Sequence, residues 1–415
     1  MKTTILHLAQ LVRSAVKASF FHHVEPTSDQ PGKPTKYPEL ANVNSQLHGE
    51  ALAVATKLVG KRLHLSDLTK VFASWPTATN KYAKELEALV DSLLERIITN
   101  KRKLEALKQA DFGHLMSLWY PDAEWPELKV ATAYSVWIFV WDDEIDAGDT
   151  DAATNEELAQ AYYRQSLAYI YSALGLDGGS QGDIQAPHQN MALFADVARG
   201  IRETTDIQQR QRFFDELENF MLQVGVEHTH RMAGTIPTTE EYMNIRSGSV
   251  GFMLKIRLPE TVMECTAMKA LWRETIYICL ILNDVYSCQK EIIQGSLLNI
   301  VPVMFKNMKQ EDQKCMTAVS RDLDIALKEA MERFDAAAEE LGEIAPEDAR
   351  LHGNILDYIK WCRYFITGVL HWSLQSGRYG MAKCINDDGT LNALLTCAST
   401  ETRGVALKPL PFPYP

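Results

Sequence analysis

The hydrophobic positions of this chain recur mainly at three- and four-residue intervals, the spacing of a helix that buries one side. Residues 81–107 show the pattern most clearly, and its apolar stripe is formed by Leu86, Leu89, Val90, Leu93, Leu94, Ile97 and Ile98. Further stretches of this kind predict helices over residues 127–146, 190–203, 206–231, 238–248, 262–293, 311–342 and 349–379. No segment shows a comparable strand alternation and no internal repeat is evident, so the pattern predicts an all-α fold.

The two ends of the chain differ from this helical part. Residues 24–38 contain four prolines, which predicts an extended connector, and the last residues, from Lys408 onward, form a proline-rich tail. We therefore expect an N-terminal extension over residues 1–44, a helical body over residues 45–400 and a tail over residues 401–415. The glycine-rich residues 175–183 lack the spacing of a phosphate-binding loop and a preceding strand, so we interpret them as a surface connection.

Composition and charge narrow the classes of partner. The 415 residues are 46% hydrophobic, 9% aromatic and 23% charged, which is ordinary for a soluble globular protein and excludes a disordered or collagen-like chain. The 42 basic and 54 acidic residues give a formal net charge of -12, so a nucleic-acid partner is not expected. No run of 18 apolar residues occurs, and a membrane span is not expected either.

The cysteines and the N-terminus indicate the compartment. The seven cysteines contain no CxxC pair and no zinc-like spacing, which favours reduced thiols in the core and a cytoplasmic protein. The first 23 residues lack acidic side chains, and their basic residues interrupt any signal-peptide core. An organellar transit peptide remains the alternative.

The first candidate site follows an apolar, aromatic helix that ends in the acidic residues Asp142, Asp143, Glu144 and Asp146. On a helix Asp142 and Asp146 lie one above the other, and Asp143 is within reach of the same face. Converging carboxylates repel one another unless a hard cation such as Mg²⁺ binds between them, and Mg²⁺ prefers a few carboxylates together with phosphate oxygens and water. A solvated acidic helix end is the alternative interpretation.

The second candidate site lies on another helix, where Asn283, Ser287 and Glu291 recur at intervals of four. Their oxygens share one helix face, and the longer Glu291 can reach back so that one ion meets all three. An apolar run over residues 276–282 precedes them and predicts a deeply buried helix, in which polar oxygens need partners. Together the two sites favour metal binding over two solvated surfaces.

These motifs resemble those of class I terpene cyclases. DDEID at residues 142–146 is similar to the family's aspartate-rich motif, and NDVYSCQKE at residues 283–291 is similar to its NDxxSxxxE motif. The resemblance covers residues 110–380, and with the long N-terminal region it extends to fungal sesquiterpene synthases and, among them, the presilphiperfolanol synthase group. It implies a single-domain class I terpene synthase helical bundle around a central active-site cavity.

The resemblance also implies roles for single residues. Three Mg²⁺ ions are expected on Asp142, Asp143, Asp146, Asn283, Ser287 and Glu291. Arg246, Lys290, Arg378 and Tyr379 match the family's diphosphate-binding residues. Aromatic faces stabilise cations by about 0.5–2 kcal/mol each, and we expect Phe139 and Trp372, near these motifs, to face the carbocation, with Trp119 as a weaker candidate. An aromatic side chain in such a position is more often plain core than a cation-stabilising face, and plain core is the alternative interpretation for all three.

The function implied is Mg²⁺-dependent cyclisation of farnesyl diphosphate to a sesquiterpene hydrocarbon or alcohol. Three alternatives stay open: a chain-elongating prenyltransferase, a diterpene cyclase of the same fold, and a non-catalytic helical binding protein. No DxDD motif occurs, which excludes cyclisation started by protonation. We expect a monomer or homodimer that binds a small prenyl diphosphate. His228 and His230 have metal-like spacing, but residues two apart on a helix face different directions.

Overall fold

A computed structural model of the chain describes residues 47–146, 150–178, 185–249 and 258–396. The predicted N-terminal extension and the proline-rich tail lie outside the described residues, as does part of the glycine-rich connection over residues 175–183. Within the described residues no helix is long and apolar enough to cross a membrane.

Helices dominate the described residues, as the hydrophobic pattern predicts. The first half contains α1 (Gly49–Leu58), α2 (Leu68–Val71), α3 (Ala83–Ile97), α4 (Lys101–Gln109), α5 (Phe112–Trp119), α6 (Trp125–Asp146), α7 (Asp151–Thr154), α8 (Glu156–Ala173) and α9 (Phe194–Thr204). The second half contains α10 (Ile207–Ala233), α11 (Thr239–Ser249), α12 (Glu260–Met263), α13 (Thr266–Gln294), α14 (Ile300–Asn307), α15 (Thr317–Gly342) and α16 (Ala349–Gln375). Short 3₁₀ turns occupy Gln189–Leu193, Asp312–Lys314 and Met381–Cys384.

A small antiparallel sheet was not predicted by the sequence pattern. Strand β1 (Arg62–Leu65) pairs with β2 (Leu391–Leu394), with Arg62 opposite Leu394 and Leu65 opposite Leu391. Four-residue strands are too short for alternation to stand out from chance. The sheet packs on α15 and ties the beginning of the described chain to its end.

The long helix predicted over residues 81–107 is two helices. The stripe on α3 is buried as expected, with Leu89 only partly so. Helix α3 ends at Ile97, because the Asn100 side chain accepts hydrogen bonds from the backbone N–H groups of Arg102 and Lys103 at 2.9 and 3.1 Å and so starts α4. An asparagine that can cap competes with helix continuation.

The helix predicted over residues 349–379 is shorter at its C-terminal end. Helix α16 ends at Gln375, so that Arg378 and Tyr379 lie in the turn that follows. Gly377 explains this end: its N–H donates to the Gln109 carbonyl at 3.0 Å, and a Cβ on this glycine would lie only 2.8 Å from that oxygen. A contact with α4, distant in sequence, therefore sets the end of α16.

Six of the described helices had no counterpart in the sequence prediction: α1, α2, α5, α7, α8 and α14. Helix α5 is buried on nearly every side, so it shows no amphipathic period. Helix α8 is rich in alanine and tyrosine, which blur the apolar stripe, although Asn155 caps it clearly through the N–H groups of Glu157 and Leu158.

The two motif helices lie in the interior. Helix α13 packs against α11, α14, α15 and α16, while α6 packs against α3, α5 and α9. Both helices are buried around most of their circumference. Apolar packing therefore fixes the orientation of the polar side chains that they carry. The six described cysteines form no disulfide, but Cys315 is exposed rather than in the core, because it lies in the turn before α15.

Candidate active site

The C-terminal end of α6 brings the acidic motif to the edge of the core. The preceding turns bury Trp137, Val140 and Trp141, and the Trp141 indole donates to Ser166 Oγ at 2.9 Å. These contacts fix the rotation of the helix, and Asp142 and Asp143 emerge half-buried at its end. The side chain of Asp146 lies outside the described residues, so its predicted convergence with Asp142 stays a prediction.

Asp143 is held by two cations from other elements. Arg378 donates to both of its oxygens, at 3.0 and 3.3 Å, and Lys290 Nζ lies 3.7 Å from one of them. Burial alone would raise the pKa of Asp143, but Arg378 and then Lys290 outweigh it and hold the pKa well below its usual range. The end of α6 is thereby joined to α13 and to the turn after α16.

Asp142 faces a different neighbourhood from Asp143. Burial raises the pKa of the Tyr162 hydroxyl on α8, and the negative charges of Glu144 and Asp142 add to that effect. Glu144 is paired with Lys103 of α4 at 3.3 Å. Asp142 therefore lies towards α8, whereas Asp143 lies towards α13 and the turn after α16.

The motif on α13 lies in the same region. Asn283 Nδ2 donates to the Tyr379 hydroxyl at 3.0 Å, Ser287 is 2% exposed, and Glu291 follows one turn further on. All three lie on one face of α13, as their spacing predicts. Two predicted metal motifs and the predicted Arg-Tyr pair are therefore brought together.

Arg246 approaches this face from α11. Its Nη2 atom lies 3.4 Å from both Asn283 Oδ1 and Asp284 Oδ1, and its Nη1 atom lies 3.5 Å from Glu227 Oε1. Glu227 is 8% exposed and Asp284 1% exposed, so the guanidinium is placed among buried carboxylates. The predicted diphosphate-binding residues, Arg246, Lys290, Arg378 and Tyr379, all contact a predicted metal ligand.

Sequence reasoning missed Asp284 and Asn299. Asp284 accepts from the Tyr242 hydroxyl and from the Ile300 N–H, the latter at 2.7 Å. Burial raises the pKa of Asp284, Arg246 lowers it, and the charge of Glu291 raises it further. Asn299 donates to Glu291 Oε2 at 2.9 Å. The sequence signal for Asn299 was its position as the single polar residue in the apolar run LLNIV.

The aromatic candidates form one stack and one separate pair. Phe139 stacks on Phe112 with ring centroids 4.8 Å apart and lies 6.1 Å from Trp372. The Arg378 guanidinium sits 5.3 Å from the Phe139 ring centroid, so this ring already faces a cation. Trp119 instead stacks on Phe365 at 4.2 Å.

The two histidines of α10 point to different partners, as expected for residues two apart on a helix. His228 is fully buried and lies 3.2 Å from a Glu156 oxygen, while His230 pairs with Thr235 Oγ1 at 2.9 Å. They do not form a shared metal site.

The residues around α13 suit a hard divalent cation. Within the described residues no three carboxylate, imidazole or thiolate groups form a ready-made metal cluster. Asn283, Ser287 and Glu291 instead offer an amide, a hydroxyl and a carboxylate oxygen, the ligand types that Mg²⁺ binds. Since Glu227, Asp284 and Glu291 gather around the single guanidinium of Arg246, an added positive charge would relieve their repulsion.

Comparison with known proteins supports this assignment. The family model described as terpene synthase family 2, C-terminal metal binding, matches residues 133–329, which contain both motifs but not Arg378 or Tyr379. Sesquiterpene cyclase hepA of Aspergillus oryzae is 26% identical over 81% of this chain and 94% of its own length. Terpene cyclase braA of Annulohypoxylon truncatum is 25% identical over 80% of this chain and 89% of its own length.

Solved structures share the fold. Germacradien-4-ol synthase from Streptomyces citricolor superposes with a TM-score of 0.56 at 19% identity, covering 72% of this chain and 95% of that one. The chain therefore has the all-α fold of class I terpene synthases, and the terpene synthase family model matches a little under half of it, including both motifs. It resembles fungal sesquiterpene synthases in particular, and the matched metal-binding domain implies a divalent metal ion as cofactor.

Proposed function

We propose that this protein is a class I terpene synthase that converts farnesyl diphosphate to a cyclic or polycyclic sesquiterpene hydrocarbon or alcohol and releases diphosphate. One observation carries the proposal: Arg246, Lys290, Arg378 and Tyr379, from three separate parts of the chain, all contact residues of the two metal motifs. The sesquiterpene cyclase named among the relatives supports the choice of a farnesyl substrate.

We assign three Mg²⁺ ions as cofactors, on the oxygen ligands described above. Asp142, Asp143 and Asp146 would hold Mg²⁺ at the end of α6, and Asn283, Ser287 and Glu291 would hold it on α13. Bound Mg²⁺ supplies Lewis-acid stabilisation of the negative charge that develops on the departing diphosphate.

The basic side chains bind and orient the diphosphate. Arg378 donates two hydrogen bonds to the Asp143 carboxylate, and the same geometry fits two phosphate oxygens. Tyr379 accepts from Asn283, which leaves its own O–H to be donated to the substrate. These donors favour the state in which the C–O bond has broken and its electron pair has left with the diphosphate.

The remaining allylic cation then reacts within the substrate. Electrons of a distal double bond form the new C–C bond, and the last cation either loses a proton or is captured by water. We assign Phe139 and Trp372 to stabilise this positive charge through their ring faces. Phe139 lies 5.3 Å from the Arg378 guanidinium and Trp372 lies 5.4 Å from the Tyr379 ring, so both rings are beside the proposed diphosphate-binding groups, which supports that role.

The test is incubation of the purified protein with farnesyl diphosphate and Mg²⁺, followed by solvent extraction and gas chromatography with mass spectrometry. A cyclic sesquiterpene is the expected product, and EDTA should abolish it. Asn283→Ala should also abolish it while the circular dichroism spectrum and the unfolding temperature stay near those of the wild type. Near-normal turnover in this variant would contradict the metal assignment.

The same assay separates the alternatives. Longer prenyl diphosphates would indicate a chain-elongating prenyltransferase, and cyclisation of geranylgeranyl diphosphate in preference to farnesyl diphosphate would indicate a diterpene cyclase. A second DDxxD motif, which an elongating enzyme of this fold carries, is replaced here by NDVYSCQKE. We further propose a cytoplasmic monomer or homodimer, which sedimentation velocity and cell fractionation would test.

A further inference from the structure

Asn299 occupies an unusual position beside the metal motif. The chain leaves α13 through Gly295, which adopts a left-handed conformation with φ 85°, and it then returns against the helix it has just left. Asn299 is fully buried between the buried apolar residues Leu298 and Ile300. A carboxamide in such surroundings is retained only where its hydrogen bonds are made.

The orientation of the Asn299 side chain follows from its contacts. Its Oδ1 accepts from the Val301 N–H at 3.0 Å and so caps α14. Its Nδ2 therefore faces α13, where it donates to the Asp284 carbonyl at 2.7 Å and to Glu291 Oε2 at 2.9 Å, and lies 3.4 Å from Ser287 Oγ. Two of these three residues are the assigned metal ligands of α13.

We propose that Asn299 is a positioning residue of the metal site, whose amide orients the Glu291 carboxylate and the Ser287 hydroxyl toward a divalent ion. The inference rests on the proposed function. The Asn299 Oδ1 atom accepts from the backbone of α14 and does not face the metal site, so Asn299 acts through Glu291 and Ser287. A glutamate has several rotatable bonds, and one fixed oxygen leaves the other in a defined place for the metal.

The surrounding contacts strengthen the inference. The Ile300 N–H donates to Asp284 Oδ2 at 2.7 Å, so residues 299 and 300 together contact α13 at positions 284, 287 and 291. These positions lie along one helix face. Asn299 is also a neutral donor to the Asp284 carbonyl and to the Glu291 carboxylate, so it satisfies these acceptors without neutralising the charge that attracts the ion.

Two substitutions separate this role from simple packing. Asn299→Asp keeps the size and the acceptor for Val301, but it turns the donor that faces Glu291 into a negatively charged oxygen. Asn299→Ser keeps a short capping group that cannot reach Glu291 and adds no charge. The matched control is Asn307→Ser at the other end of α14, where the amide donates to the Pro237 and Val303 carbonyls at 3.1 and 2.8 Å.

The measurement is calorimetric binding of inorganic pyrophosphate at increasing Mg²⁺ concentrations, with Mn²⁺ electron paramagnetic resonance as a direct count of bound metal. We expect both Asn299 variants to need about 10- to 100-fold more metal for half-saturation, the usual effect of losing a residue that orients a metal ligand. Asn307→Ser should stay within about twofold of the wild type, the effect expected of a residue with no contact to the ligands.

Thermal unfolding in EDTA shows whether each variant is folded before metal is added. A folded Asn299→Ser variant with the metal dependence of the wild type would overturn the positioning role. A wild-type protein that binds pyrophosphate without any dependence on Mg²⁺ would instead overturn the proposed function. The Asn299→Ser variant therefore tests the positioning role, and the wild-type protein in the same experiment tests the proposed function.

Discussion

The amide of Asn283 donates to the hydroxyl of Tyr379 at 3.0 Å, although the two residues belong to different motifs and lie 96 positions apart in the chain. The bond places the tyrosine beside a predicted metal ligand and gives it one fixed partner. A diphosphate bound between the two motifs would therefore meet an oriented O–H donor rather than a rotating one.

Removing this hydroxyl tests the relationship. Tyr379→Phe should keep the ring in place and lose the hydrogen bond from the hydroxyl to the anionic diphosphate, worth about 1.5–3 kcal/mol, which corresponds to a drop of about 10- to 100-fold in kcat/KM for farnesyl diphosphate. Steady-state assays with radiolabelled substrate measure it. The control is Tyr169→Phe, a buried tyrosine on α8, for which kcat/KM should not change. Equal effects in the two variants would contradict a specific role for Tyr379.

The paired hydrogen bonds between Arg378 and Asp143 lead to a second prediction. Arg378→Lys keeps the charge but cannot donate to two oxygens at once, so one charge-assisted bond worth about 1.5–3 kcal/mol is lost from the diphosphate site. We expect kcat/KM to fall by about 10- to 100-fold. The unfolding temperature should change little, since the site lies at the edge of the core.

The control for this prediction lies on α16, the helix that precedes Arg378. Arg363 donates through Nη2 to Asp335 at 2.8 Å, in contact with Trp75 rather than with the metal motifs. Arg363→Lys should leave catalysis intact. If the Arg378→Lys variant turned over substrate as fast as the Arg363→Lys variant, paired hydrogen bonds from Arg378 would have no part in the reaction.

Residue spacing alone predicts which side chains share a helix face, but it does not predict where a tertiary contact ends a helix. The shared helix face of Asn283, Ser287 and Glu291 was predictable because a four-residue interval places side chains above one another. The end of α16 at Gln375 was not, since it depends on the approach of Gly377 to the Gln109 carbonyl across the fold. Residues that gain their importance from a distant contact leave no periodic signal.

Single buried polar residues are partly predictable: the sequence shows that they are unusual, but not which residues they contact. Asn299 stands out in an apolar run, but only the folded chain shows that it faces Glu291. Asp284 follows Asn283 directly, and only the folded chain shows that its carboxylate accepts from Tyr242 and Ile300. Tertiary partners decide whether such a residue orients a ligand or simply satisfies the backbone.

A third prediction concerns stability away from the site. The Glu274 side chain is 2% exposed on α13 and accepts from Arg333 of α15 at 3.0 Å and from Arg273 at 2.8 Å. Arg333→Ala would leave this buried carboxylate with one largely exposed partner. Because Arg333 is itself 45% exposed, solvent screening reduces the effect, and we expect a loss of about 1–2 kcal/mol in the free energy of unfolding.

Urea denaturation measures this loss, and α15 supplies its control. Arg321 pairs with Asp322 at 2.8 Å on the surface, where both side chains are well exposed. Arg321→Ala should change the free energy of unfolding by no more than about 0.5 kcal/mol. Similar losses in both variants would show that burial of Glu274 does not matter. Activity should be unaffected in either variant, since neither arginine contacts the motifs.

The last prediction tests the packing that holds α6, and hence the acidic motif, against α9. A Cβ added at Gly200 would lie 2.5 Å from Val130 Cγ2, and a valine within a helix has little freedom to rotate away. Gly200→Ala should therefore destabilise the protein by about 1–3 kcal/mol, even though alanine favours a helix by about 0.5–1 kcal/mol.

In a Val130→Ala background the obstruction is absent. Gly200→Ala should then become neutral or stabilising, because only the helix preference of alanine remains. A double-mutant cycle by urea denaturation gives the coupling between the two positions, which we expect to exceed about 1 kcal/mol. The same loss of stability in both backgrounds would mean that α6 and α9 do not approach each other at these residues.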